Sequence, residues 1–127
     1  MTSILNVDEI AAKNGTGPVT LTKQSASKAW LNLNGETFGA RDSFNQTSIT
    51  DNGTGAYQAS FTNGMNNANY SVCATPGDGG GYGSYGAAHN GGSHITSSLY
   101  KFSTFITQTP TQSDVDTVTT QVNGDLA

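Results

Sequence analysis

The chain reads as a mainly β protein: an antiparallel β-sandwich or jelly-roll-like head, residues 43–127, behind an N-terminal arm, residues 1–42, that holds one short helix. Three observations predict this class. Ser43 to Thr62 has the pattern of a hairpin: Tyr57, Ala59 and Phe61 alternate with Gln58, Ser60 and Thr62, after a turn, Asp51-Asn-Gly-Thr-Gly55, whose residues tolerate positive φ. The composition, 34% hydrophobic with 16 Gly among many Thr, Ser and Asn, suits strands joined by frequent turns. Further alternating runs follow the hairpin with no strong helical pattern between them.

Taken in order, the arm begins with the apolar residues Ile4, Leu5, Val7 and Ile10. It breaks at Asn14-Gly-Thr-Gly-Pro18 and continues through the short β-prone run Val19-Thr-Leu-Thr22. From Lys23 to Asn34, Ala26, Ala29, Trp30 and Leu33 fall at i, i+3, i+4 and i+7, with Gly35 placed as a C-terminal cap, so a short amphipathic helix is expected there. A helix below roughly 12 residues is marginal alone, so Trp30 and Leu33 are expected to pack, with Ile4, Leu5, Val7 and Ile10, on the head or on a neighbouring subunit. The hairpin follows. Asn69 to Thr75 then places Tyr70, Val72 and Ala74 on one face of a strand, and Thr96 to Thr107 reads as a strand buried on both sides. Thr109 to Asp114 turns, and Val115 to Val122 closes the sheet. Between these strands, Pro76 to Ser93 reads as a glycine-rich surface loop of about 18 residues, unusual in length for a compact domain.

Charge and spacing remove several function classes. The five basic residues, Lys13, Lys23, Lys28, Arg41 and Lys101, are scattered and the net charge is −4, which argues against phosphate neutralisation and hence nucleic-acid binding. At 11% charged, the chain does not have the composition of a disordered segment. No apolar run approaches the ~18 residues of a membrane span, and no export signal is recognisable. Cys73 is the single cysteine, so no intrachain disulfide forms. The sequons at Asn14, Asn45 and Asn52 are what chance gives in a chain rich in Asn and Thr.

Chemical motifs are weak. Gly81-Tyr-Gly-Ser-Tyr-Gly86 satisfies G-x-G-x-x-G, but the dinucleotide fingerprint needs a helix after it and Gly91-Gly92 follows instead. His89 and His94 lack the further ligands of a zinc site, although a symmetric trimer could gather three copies of one of them about its axis. No nucleophile, His and acid stand at a recognisable spacing, and neither a catalytic residue nor a cofactor or metal is expected. The loop itself is the candidate contact surface. Tyr82 and Tyr85, with His89 and His94, offer aromatic and imidazole groups amid small adaptable residues, a mixture suited to recognition of a glycan or a protein; packing on a neighbouring subunit is the alternative.

Gly15-Thr-Gly-Pro-Val-Thr-Leu-Thr-Lys-Gln-Ser-Ala-Ser-Lys-Ala-Trp30, Arg41-Asp-Ser-Phe-Asn45, Thr50-Asp-Asn-Gly-Thr-Gly-Ala-Tyr57 and Val122-Asn-Gly-Asp125 resemble segments of short tail-fibre-like structural proteins of tailed bacteriophages, especially those of marine bacteria. The opening Ser3-Ile-Leu-Asn-Val-Asp8 is similar to the N-termini of such fibres. The resemblance spans nearly the whole chain through structural motifs, and a repetitive shaft is missing. It implies a non-enzymatic, homotrimeric virion protein made in the bacterial cytoplasm. The arm would dock on other tail or capsid proteins and the head would touch the host surface. A head decoration or cement protein is the alternative, and a carbohydrate-active enzyme a more distant one.

Overall fold

Ala29-Trp-Leu-Asn-Leu-Asn34 alternates strictly, and in the computed structural model, which describes residues 26–77, 83–89 and 94–127, it forms a strand, β1 (Ala29–Asn34). Ala29, Leu31 and Leu33 point into the core, while Trp30 stands on the outer face. The helix expected over Lys23 to Asn34 is therefore corrected: residues 29–34 are extended, residues 26–28 are not helical, and residues 23–25 lie outside the described residues. Both periods fit this stretch, because Ala29 and Leu33 serve a helical stripe as well as a strand face. What decides is the pair of strands that hydrogen-bond to it, one on each side.

Eight more strands follow among the described residues: β2 (Gly39–Phe44), β3 (Gln46–Asp51), β4 (Ala56–Phe61), β5 (Ser71–Gly77), β6 (Tyr85–His89), β7 (Leu99–Ile106), β8 (Thr111–Gln112) and β9 (Thr117–Asn123). They form two antiparallel sheets. Sheet I has the order β2-β1-β9-β5, and sheet II the order β3-β4-β7-β6 with β8 paired to β7. The expected hairpin is present as β3 and β4, with Asp51 opposite Tyr57 and positive φ at Gly53 and Gly55. Gly55 is confined to glycine twice over: its φ is +63°, and a Cβ would fall 2.5 Å from the Thr104 carbonyl oxygen.

The two sheets face each other across one core. Leu31, Leu33, Val118 and Val122 from sheet I meet Tyr57, Ala59, Phe61, Tyr100 and Phe102 from sheet II. Aromatic rings dominate it, with Tyr57 and Tyr100 each within 6 Å of Phe102 between centroids (5.4 and 5.8 Å). Two tyrosine hydroxyls tie the layers. Tyr100 Oη lies 2.6 Å from Thr120 Oγ1 across the core, and Tyr57 Oη donates to Asp114 Oδ1 at 2.8 Å, just before β9. Burial pushes the Tyr100 phenol up to about 12, against the smaller opposing effect of its hydrogen bonds, and raises Tyr57 further, with Asp114 adding to the rise.

Asn45 turns the chain from sheet I into sheet II. Its φ of 57° is one that Asn tolerates, and its side chain is fully engaged, donating to the Lys28 and Asn63 carbonyls and accepting from the Asn63 amide. The sequon there is thus occupied by structure. The expected arm–head boundary is also corrected as far as the described residues reach, because position 42/43 falls inside β2, and β1 sits in the middle of sheet I between β2 and β9. Ile4, Leu5, Val7 and Ile10 lie outside the described residues.

The expected loop over Pro76 to Ser93 is corrected in the same way. Its first two residues end β5, and Tyr85 to His89 form β6, which pairs along β7 from Tyr85 opposite Ile106 to His89 opposite Phe102. Gly86 is why a glycine-rich run can be a strand here: the Phe105 ring lies over it, and a Cβ would fall 2.6 Å from Phe105 Cε2. The glycine motif thus ends inside a strand that opens at Tyr85, with no helix at its end, which removes the dinucleotide fold context. The strand expected to be buried on both sides, β7, is fully buried on its inner face at Tyr100, Phe102 and Thr104; on the other face Ser103 is buried too, and Leu99, Lys101 and Phe105 are half-buried.

Candidate functional site

Antiparallel pairing puts directly opposed residues on the same face, so the registers of β1, β9, β2 and β5 build the outer surface of sheet I row by row. One row runs Phe44, Trp30, Gln121, Cys73; the next runs Asp42, Asn32, Thr119, Thr75. Between the two rows lies a shallow hollow of about 350 Å³, lined by Trp30, Asn32, Gln121, Thr119, Thr75 and Cys73. Its floor is main chain at Leu31 and Thr120, whose side chains are buried on the core side. At roughly 4.8 Å between strands and 3.4 Å per residue, the six lining positions cover a field of about 10 by 7 Å.

The chemistry of this field is neutral. Two amides, two threonine hydroxyls, a thiol and an indole surround the hollow, and no carboxylate, ammonium or guanidinium lines it. Trp30 is 36% exposed and Phe44, beside it on β2, 54%. Exposed aromatic rings on a strand face are costly to leave in water and are enriched where a protein touches something else. Asn32 Oδ1 adds a second signal, since it is buried and has no hydrogen-bond partner among the described residues. Beyond the hollow, Arg41 closes the corner of the same face by bonding Asp116 Oδ1 and Thr117 Oγ1, each at 2.7 Å. That pair is more than a quarter exposed on each side and holds β2 to the start of β9 at about 0–1 kcal/mol.

The residues singled out from sequence are distributed differently. Tyr82 lies outside the described residues. Tyr85 is half-buried and packs against the core as the first residue of β6, so it is a structural ring and not a free loop tip. His89 ends β6 exposed, His94 is exposed just before Ile95, and among the described residues no group of three or more His, Cys, Asp or Glu is placed to hold a metal. Leu33 is fully buried in the chain's own core, whereas Trp30, expected to be buried with it, faces outward. Asn32, Thr75, Thr119, Gln121, Cys73 and Phe44 were not singled out. The alternation from Ala29 to Asn34 carries the signal for Asn32; Phe44 joins Trp30 through pairing with the next strand, and the others become neighbours only through strand pairing across some 45 to 90 positions.

No family model, curated protein or solved structure matches this chain.

Proposed function

We propose that this protein is a non-enzymatic structural component of a bacteriophage virion, a short tail fibre or capsid fibre that contributes to attachment at the host surface and assembles as a homotrimer. The observation that carries the reading is the outer face of sheet I, where Trp30 and Phe44 are held exposed on a rigid sandwich whose core is filled from within the chain. Such a face suits contact with another surface. The resemblance to short tail-fibre-like proteins points the same way. In this reading the head presents the face, and the segment with Ile4, Leu5, Val7 and Ile10 supplies contacts to the other copies and to the virion. Leu33 is already satisfied within the chain and plays no part in trimer packing.

Two measurements test this. Purified virions labelled with an antibody to this chain should show it in imaging at the tail or on the capsid surface. Light scattering of the full chain should report three copies per particle. Label spread evenly over the shell, with adsorption unchanged when the protein is missing, would favour a head decoration or cement protein instead. Absence of the chain from purified virions overturns the reading altogether.

A further inference from the structure

We infer that the hollow beside Trp30 is a binding site for a neutral hexose glycan, one sugar ring lying against the indole with its hydroxyls on Asn32, Gln121, Thr119 and Thr75. The inference deepens the attachment reading and rests on it only for biological meaning, since the site itself is argued from the sheet. A sugar ring has an apolar C–H face and a rim of hydroxyls that both donate and accept. The hollow offers the complement: one exposed aromatic face, and around it amides and hydroxyls with both donor and acceptor capacity. The lack of any charged lining residue, in a chain of net charge −4, selects a neutral ligand over an acidic sugar or a phosphate. Its volume of about 350 Å³ lies at the low end of the range of roughly 300–1,000 Å³ for small-ligand sites, fitting a terminal or short segment and not a long enclosed chain.

Asn32 supplies the observation that points to a ligand beyond the aromatic face. Its Oδ1 is buried without a partner, an arrangement that leaves an acceptor short of a donor. The terminal torsion of Asn is soft, so the amide turns toward the hollow at small cost and takes a ligand hydroxyl. Phe44 extends the aromatic surface across the strand pair from Trp30, so a second ring of the glycan runs along the row toward β2, perpendicular to the strands.

The protein carries its own reporters. Trp30 is the sole tryptophan, and Cys73, the sole cysteine, is exposed on the far side of the same hollow. The full chain is titrated with gluco-, galacto- and manno-hexaoses and with a hexaose bearing uronic acids, reading Trp30 emission and the rate of Cys73 modification by a small thiol reagent. The site is supported if at least one neutral hexaose shifts the emission and slows Cys73 modification, with the acidic one weaker. Trp30→Ala and Asn32→Ala, read by calorimetry, should then weaken binding ~10-fold or more, and Phe44→Ala less. These positions are on the outer face, so a melting curve close to that of the parent certifies each variant as folded. The site is overturned if no neutral hexaose moves either reporter, if the acidic one binds best, or if the Trp30 and Asn32 variants, folded, bind like the parent. Virion labelling separates the two levels: a chain found on virions without glycan binding refutes this site alone, and glycan binding by a chain not found on virions refutes the attachment reading alone.

Discussion

The two sheets of this sandwich obey the same alternation yet use their outward aromatic residues in opposite ways. On sheet II, the Phe105 ring lies against Gly86 of the neighbouring strand, so it fills the space that a side chain would occupy and is half-withdrawn from water. On sheet I, the positions opposite Trp30 carry Phe44 and Gln121, and Trp30 and Gln121 both border the open hollow. One ring is consumed in covering backbone; the other is left available. An exposed aromatic residue therefore becomes informative only when its cross-strand partners are known, because the same residue type can seal a glycine or offer a face.

The interior sets the scale against which both faces are measured. Phe102, fully buried between Tyr57 and Tyr100, should lose about 3–5 kcal/mol of stability when truncated to Ala, read by chemical denaturation. A loss below about 1 kcal/mol would mean that the two sheets are not held by this core, and the contrast between their outer faces would lose its frame.

High pH should loosen the joint between the sheets. Tyr100 and Tyr70 are pushed up to about 12, chiefly by burial, against about 10 in an unfolded chain. A group whose folded value is raised contributes stability that is fully present below the unfolded value and is lost as pH climbs through the folded one. Melting temperature should thus show no pH dependence from these phenols below about pH 9.5 and a steep fall between about pH 10 and 12. Tyr100→Phe, which also gives up the hydrogen bond to Thr120, should begin from a lower value and show a shallower fall. An equal alkaline slope in the variant would place the titrating groups elsewhere.

The contrast itself is tested by a matched pair. Phe105→Ala uncovers Gly86 and should cost about 1–2 kcal/mol, within the ordinary range for a partly buried contact. Trp30→Ala should change stability by no more than about 0.5 kcal/mol, as for surface positions. Equal losses in denaturant would show that Trp30 is as structural as Phe105. Tyr85→Ser sharpens the point from a third side: because Tyr85 packs on the core, it should lower the melting temperature by several degrees, corresponding to about 1 kcal/mol in a domain of this size. A loop residue reserved for contact would leave melting unchanged.

The hairpin of β3 and β4 was legible because it is local: alternation marks its second strand, and the glycines at 53 and 55 supply the positive φ of the turn within the same twenty residues. The β class, the alternation of β5 and the last strand near the C-terminus were legible for similar reasons. By contrast, β1 carried two valid periods at once, and only pairing to β9, about 90 positions away, and to β2 made it a strand instead of a helix. Likewise Tyr85 to His89 has a glycine and two alanines among five residues, too little side chain to announce a strand, and is held in place by β7 and the ring of Phe105.

The candidate site follows the same division. By itself the sequence determined that one tryptophan exists, that it stands among asparagines on an alternating segment, and that charged residues are few; these are properties of residues in order. Only the tertiary structure decided that Trp30 faces outward, that Gln121 and Cys73 lie in its row, and that Asn32, Thr119 and Thr75 lie in the next. The physical reason is that a strand's two faces are equivalent until a second sheet covers one of them. Covering Ala29, Leu31 and Leu33 with the aromatic rings of sheet II fixed which side of β1 was dry, and so fixed Trp30 in water.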